Sequence, residues 1–90
     1  MPKKQAADYR IVVLQRGWVA VGRYAKTGSA CRLEGASVIR RWGTSKGLGE
    51  LRSGPLANTV LDPAGIIEFH ELGEVLTIRV EAERWAPHCK

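Results

Sequence analysis

The chain has 90 residues and a formal net charge of +5, with 44% hydrophobic and 26% charged residues. That is one domain of ordinary globular composition rather than a disordered chain. No apolar run approaches the roughly 20 residues of a membrane helix, and none follows the basic start Met1-Pro2-Lys3-Lys4-Gln5 as a secretory leader requires.

In chain order, residues 1–8 read as a flexible N-terminal tail, 9–84 as a single β domain and 85–90 as a C-terminal tail. Tyr9 to Leu14 is a β-branched run without polar alternation, the pattern of a strand covered on both faces. Arg16-Gly17 signals a turn, and Trp18 to Tyr24 follows as the hairpin partner, with Gly22 marking a bulge or a close backbone approach. After the turn Lys26 to Ser29, Ala30 to Leu33 is a short strand, Glu34-Gly35 a turn and Ser37 to Trp42 a further strand. Gly43 to Gly49 is a glycine-rich loop, and Glu50 to Arg52 a helical turn stopped by Ser53-Gly54-Pro55.

Asn58 to Leu61 is the next short strand, and Asp62-Pro63-Ala64-Gly65 carries the residue preferences of a type I turn. Two more strands, Ile66 to His70 and Val75 to Glu81, join around Leu72-Gly73. The second places Leu76, Ile78, Val80 and Ala82 on one face and Thr77, Arg79 and Glu81 on the other. The sum is a mainly β domain with little helix, a small antiparallel barrel or sandwich of about six to seven short strands.

Charge is unevenly distributed along this order. Residues 1–53 carry eleven Lys/Arg against three acids, a net +8, and residues 54–90 carry three against six, a net −3. Either one face of the molecule is positive, or strand order mixes the two halves and the asymmetry disappears in space.

The one segment whose composition carries chemistry is Arg40-Arg41-Trp42-Gly43-Thr44-Ser45-Lys46-Gly47, continuing to Gly49 and Glu50. Glycines permit positive φ, so successive N–H groups can turn into one concavity that suits an anion. Arginine adds a planar fork of donors for phosphate oxygens, Lys46 a point charge, Thr44 and Ser45 hydroxyls, and Trp42 a face for a base. The segment is neither a nucleoside-triphosphatase P-loop nor a dinucleotide fingerprint, because no Ser/Thr follows Lys46 and Arg52 stands where the last glycine belongs. The competing reading is a solvated hairpin loop with Trp42 in the core and the arginines paired to acids. Strand alternation sets Arg40 and Trp42 on one face and Arg41 on that of Ile39, unless a bulge intervenes. Arg41 and Lys46 are the expected primary contacts, with Arg40 second.

Elsewhere the residues read as structural. His70 has no nucleophile beside it, and His88-Cys89 supplies half of a zinc site at most, so a frayed end is expected there. Cys31 reads as an inert thiol, and Cys31 and Cys89 are too few for a disulfide framework, so a reducing cytoplasm is expected. Trp85 is expected to pack the tail onto the body. No catalytic triad is present, and no catalytic residue, metal or cofactor is expected.

Three stretches, Ile11-Val12-Val13-Leu14-Gln15-Arg16-Gly17-Trp18, Ala36 to Leu51 and Thr59-Val60-Leu61-Asp62-Pro63, resemble a family of short uncharacterised proteins of tailed bacteriophages and prophages. The likeness covers most of residues 9–70, and Arg41-Trp42-Gly43 to Leu51 is its most distinctive part. It implies a viral protein in the cytoplasm of a bacterial host, where small phage proteins act as non-enzymatic binders against host systems, some as oligomers that sequester nucleotide signals. No functional residues carry over from it. Three functions follow as expectations: a homo-oligomer binding an anionic ligand, a nucleotide in preference to nucleic acid; a nucleic-acid module on an OB-like or SH3-like barrel; and an inhibitor docking an acidic host protein.

Overall fold

The structure, a computed structural model, describes residues 8–89. Five strands, β1 (Tyr9–Leu14), β2 (Val19–Thr27), β3 (Ala30–Arg41), β4 (Val60–His70) and β5 (Glu74–Arg79), form one antiparallel sheet in the order β4-β3-β2-β1-β5. The outer strands β4 and β5 are joined by only the 3-10 turn Glu71–Gly73. Across a flat five-stranded sheet they would lie about 19 Å apart, beyond the roughly 14 Å that three residues bridge. The sheet therefore curls, and β4 and β5 approach without pairing, which leaves a barrel open on one side.

The curl is built from bulges. The β2–β3 register shifts at Gly22, where an added Cβ would stand 3.0 Å from the Glu34 carbonyl oxygen and 3.1 Å from the Leu33 Cβ. Gly22 is thus both the bulge and the close approach read from the sequence. The β3–β4 register shifts again around Gly35 and Gly65, both at positive φ. This corrects the strand count: Glu34-Gly35 and Asp62 to Gly65 are not turns but bulges inside long strands, so five strands replace six to seven. Left-handed glycine serves turns and bulges alike, and the sequence does not separate them. Pro63 lies on the edge strand β4, where its missing N–H costs no ladder bond on the free side.

β1 is covered on both faces, as its unbroken apolar run predicts, and Ile11 and Val12 are both fully buried. Inside the curl, Val12, Ala20, Leu33 and Ala36 form a small cluster walled by Leu14, Tyr24, Ile67 and Phe69. On the other face, Tyr9, Ile11, Val19, Val21 and Ile39 pack with Leu51, Trp85 and Cys89. Ile78, Val80 and Ala82 join this second cluster as the alternation of β5 requires, whereas Leu76, near the strand's start, stays half exposed.

Both predicted tails need correction. Residues 1–7 lie outside the described part of the chain, but Asp8 belongs to the domain: its carbonyl accepts from the Tyr24 N–H at 2.7 Å and its carboxylate holds Arg10. The C-terminal end is not frayed. A short helix α1 (Ala82–Trp85) and the 3-10 turn Ala86–His88 fold back over the sheet, and Trp85 has no exposed surface. Trp85 does pack this segment onto the body, and its indole N–H donates to the Leu51 carbonyl at 2.7 Å.

Candidate anion site in the β3–β4 connector

The connector of residues 42–59 is held at three points. At its mouth, Thr59 Oγ1 donates to the Trp42 carbonyl at 2.7 Å and accepts the Leu56 N–H at 2.9 Å. Gly43 sits at φ 69°, where a Cβ would lie 2.4 Å from the Asn58 carbonyl carbon. No side chain fits there, so glycine at 43 is a steric requirement as well as a conformational one. In the middle, the 3-10 turn Leu48–Ser53 buries Leu51 completely in the outer-face core. The Trp85 indole then fixes that turn through the Leu51 carbonyl.

A hollow of about 560 Å³ remains, lined by Arg41, Gly43, Thr44, Ser45, Glu50, Leu56 and Asn58. Of the eight residues read as candidates, Arg41, Gly43, Thr44 and Ser45 therefore meet at one place. Arg40, Trp42, Lys46 and Gly47 do not line it. Arg40 is the bulged residue between Ile39↔Leu61 and Arg41↔Val60. Its Nε donates to Asp62 at 2.8 Å, which takes it out of the site. The bulge also decouples Arg41 from the inward Ile39: Ile39 is buried, whereas Arg41 is exposed at the rim. Trp42 is not a core ring, since 41% of its surface is exposed.

The electrostatics have one internal anion. The Ser45 hydroxyl donates to Glu50 at 3.2 Å, and the Ser45 backbone N–H reaches the same carboxylate at 3.4 Å. Of the main-chain donors expected from the glycine-rich loop, the Ser45 N–H thus already meets a negative group, supplied by the chain itself. Arg41 and Lys46 make no ion pair among the described residues, and Arg52 donates only to the Gly49 carbonyl. Leu56 and Asn58 escaped the sequence reading, and Glu50 stood in it without a role. Glu50 follows Ser45 by five residues, a spacing that only the turn beginning at Leu48 closes.

The remaining titratable groups are structural. The Tyr24 hydroxyl donates to Glu74 at 3.0 Å and is raised above its ordinary value, first by burial. Burial pushes the Cys89 thiol up to about 11. Cys31 is buried, and His70 Nδ1 accepts the Leu72 N–H at 3.0 Å. Among the described residues no three of His, Cys, Asp and Glu gather as a metal site would require, and no helix is long and apolar enough to cross a membrane. A second hollow of about 590 Å³ lies over the far ends of β2, β3 and β4, floored by Ala25 and Ala30 and edged by Arg32, Glu68 and His70. There each cation stands near a carboxylate, with Arg32 held by Glu34 and facing Glu68 across the strands. Compared with family models, with curated proteins and with solved structures, the chain finds no match in any of the three.

Proposed function

We propose that the protein is a non-enzymatic binder of a phosphorylated small molecule, a nucleotide before a nucleic acid, taken up at the connector hollow. The observation that carries this reading is Arg41: an arginine at the rim of a 560 Å³ hollow with no ion-pair partner among the described residues. A guanidinium so placed offers two parallel donors to phosphate oxygens. The Ser45 N–H and hydroxyl, turned to one carboxylate, supply a second anion contact. The exposed Trp42 ring and Lys46 stand beside the hollow in sequence, as a stacking face and a charge for the part of the ligand that projects from it. In the setting that the phage resemblance implies, such a binder would sequester a nucleotide signal of the host in its cytoplasm.

Calorimetry or equilibrium dialysis with mono- and cyclic nucleotides, RNA and DNA at two salt concentrations tests the reading. A nucleotide is expected to bind with shallow salt dependence, because few phosphates are engaged. Arg41→Ala should weaken that binding roughly tenfold to a hundredfold, the worth of a hydrogen bond to a charged group, and leave the melting temperature unchanged. Steep salt dependence with DNA or RNA would favour a nucleic-acid module instead. No binding to any of these ligands would leave a protein partner with an acidic surface.

A further inference from the structure

The outer edge of β5 is an unpaired strand edge with an unmatched charge, and we infer that it pairs antiparallel with β5 of a second copy of this chain. The main-chain geometry gives the register. Val80 donates its N–H to the Tyr9 carbonyl, so Tyr9↔Val80 is a hydrogen-bonded pair of the β1–β5 ladder. Alternation makes Ile11↔Ile78 and Val13↔Leu76 hydrogen-bonded pairs too, and turns the N–H and C=O groups of Thr77 and Arg79 away from β1. No strand of the sheet occupies that side from Val75 to Arg79; beyond it the Glu81 N–H donates to the Arg52 carbonyl at 2.9 Å, and the connector ends the free edge there. A twofold axis at Thr77 satisfies those groups, setting Thr77 against the partner's Thr77 and Leu76 against the partner's Ile78. A threonine pair and an apolar pair are both favourable cross-strand neighbours.

The side chains supply the complementarity. Arg79 lies directly opposite Arg10, like charge facing like. Arg10 is bonded to Asp8 through two nitrogens, whereas Arg79 makes no ion pair among the described residues. The bulge at Val75, where the register steps from Val13↔Leu76 to Leu14↔Glu74, keeps Glu74 on the face of Thr77 and Arg79. The contacts agree: Tyr24, under the Arg10 guanidinium at 4.3 Å, donates to Glu74 Oε1, and Arg10 reaches the Thr77 hydroxyl at 3.5 Å. In the Thr77-centred register, Val75 stands against the partner's Arg79, and Glu74 next to it meets that guanidinium. The twofold axis repeats the pair at the other end. Leu72, Val75 and Leu76, exposed by 78%, 60% and 47%, lie at or beside this edge and are covered by the same contact. A second copy fits better than an unrelated strand because each end of the edge carries the charge that the other end lacks. The pairing does not depend on the connector hollow or its ligand.

Light scattering and sedimentation from low micromolar to submillimolar protein are expected to show a dimer. Arg79→Glu should raise its dissociation constant at least tenfold, and the Glu74→Arg, Arg79→Glu double swap should recover most of the loss. Amide hydrogen exchange at Thr77 and Arg79, read in the unaltered protein, should slow as concentration rises, which keeps the test independent of how the variants fold. A monomer throughout the range would overturn the inference. So would a dimer whose Thr77 and Arg79 amides exchange at the same rate at every concentration, or one indifferent to the charge at position 79.

Discussion

The cations of the sheet and those of the connector have different surroundings. On the strands, Arg10, Arg23, Lys26, Arg32 and Arg40 are each within 3.0 Å of a carboxylate, and Arg79 on the outer strand β5 is the exception. In the connector and at its mouth, Arg41, Lys46 and Arg52 have no such partner among the described residues; Glu50 is turned to Ser45, and Glu81, just past β5, accepts from Ser53. Three of these five pairs, Arg10 with Asp8 and both Arg23 and Arg32 with Glu34, lie within the basic half of the sequence, and strand pairing between the halves explains the other two. β4 comes from the acidic half of the sequence and lies against β3 from the basic half, so Arg40 meets Asp62 and, at the hairpin end, Lys26 meets Glu71. No strand pairs with the connector, and the acid that the chain after β5 brings to it, Glu81, is taken by Ser53. The charge of the basic half is thus offset by the acidic half at Lys26 and Arg40, and among the described residues it stays without ion pairs around the long loop.

The contrast can be broken most severely from outside the connector. Trp85→Ala removes a fully buried ring and the indole bond to Leu51 together, and should cost about 3–5 kcal/mol of stability in a chemical-denaturation curve. Any ligand bound at the hollow should be lost with it, although Trp85 does not line that hollow. Gly43→Ala acts at the mouth, forcing a Cβ into the Asn58 backbone at a left-handed φ. About 2–3 kcal/mol is expected, with amide shifts in an NMR spectrum concentrated between residues 42 and 59.

Glu50→Gln sharpens the contrast instead, since it removes the only carboxylate lining the hollow. Phosphate-ligand affinity should rise about fivefold, equivalent to roughly 1 kcal/mol for one charge at contact distance in water-like surroundings. An unchanged or weaker affinity by calorimetry would show that the carboxylate and the ligand do not compete. The smallest effects belong to the exposed sheet pairs. Lys26→Ala should leave the melting temperature nearly unchanged, because solvent screens both partners.

Acid titration addresses the same exposed pairs. Glu34 and Glu71 are held below the ordinary carboxylate value of 4.5 by hydrogen bonds from Arg23 and Lys26. A value lower in the folded than in the unfolded chain means that their contribution is complete above pH 4.5 and fades as pH falls through the lowered value. Thermal melts between neutral pH and pH 3 should show that small loss on the acid side only.

Much of the sheet was legible in the sequence because β periodicity and left-handed glycines are local signals. Ile11-Val12 announced a strand covered on both faces, and Gly22 its bulge. The length of β3 and β4 was not legible, since Gly35 and Gly65 look alike whether the chain reverses or merely kinks. Within the connector, composition singled out Arg41 and Gly43 to Ser45, which line one hollow. Arg40 was misplaced, because its role depends on a bulge and on Asp62, which lies 22 residues away. Glu50 was read as part of the segment without a role, and Asn58 was missed: the turn that carries Glu50 is anchored at Leu51 by a tryptophan 34 residues further on, and Asn58 is set by the mouth that Thr59 closes on Trp42.

That anchor ties the connector to the far end of the domain. The connector is complete in sequence at residue 59, and what holds its middle comes only with residue 85. Without the indole, the Leu51 carbonyl accepts only the Gly54 N–H, and the turn around it has no roof. The candidate hollow is therefore the part of the domain most exposed to loss of the C-terminal segment, and a chain cut before Trp85 would keep all five strands but not the anchor of the connector.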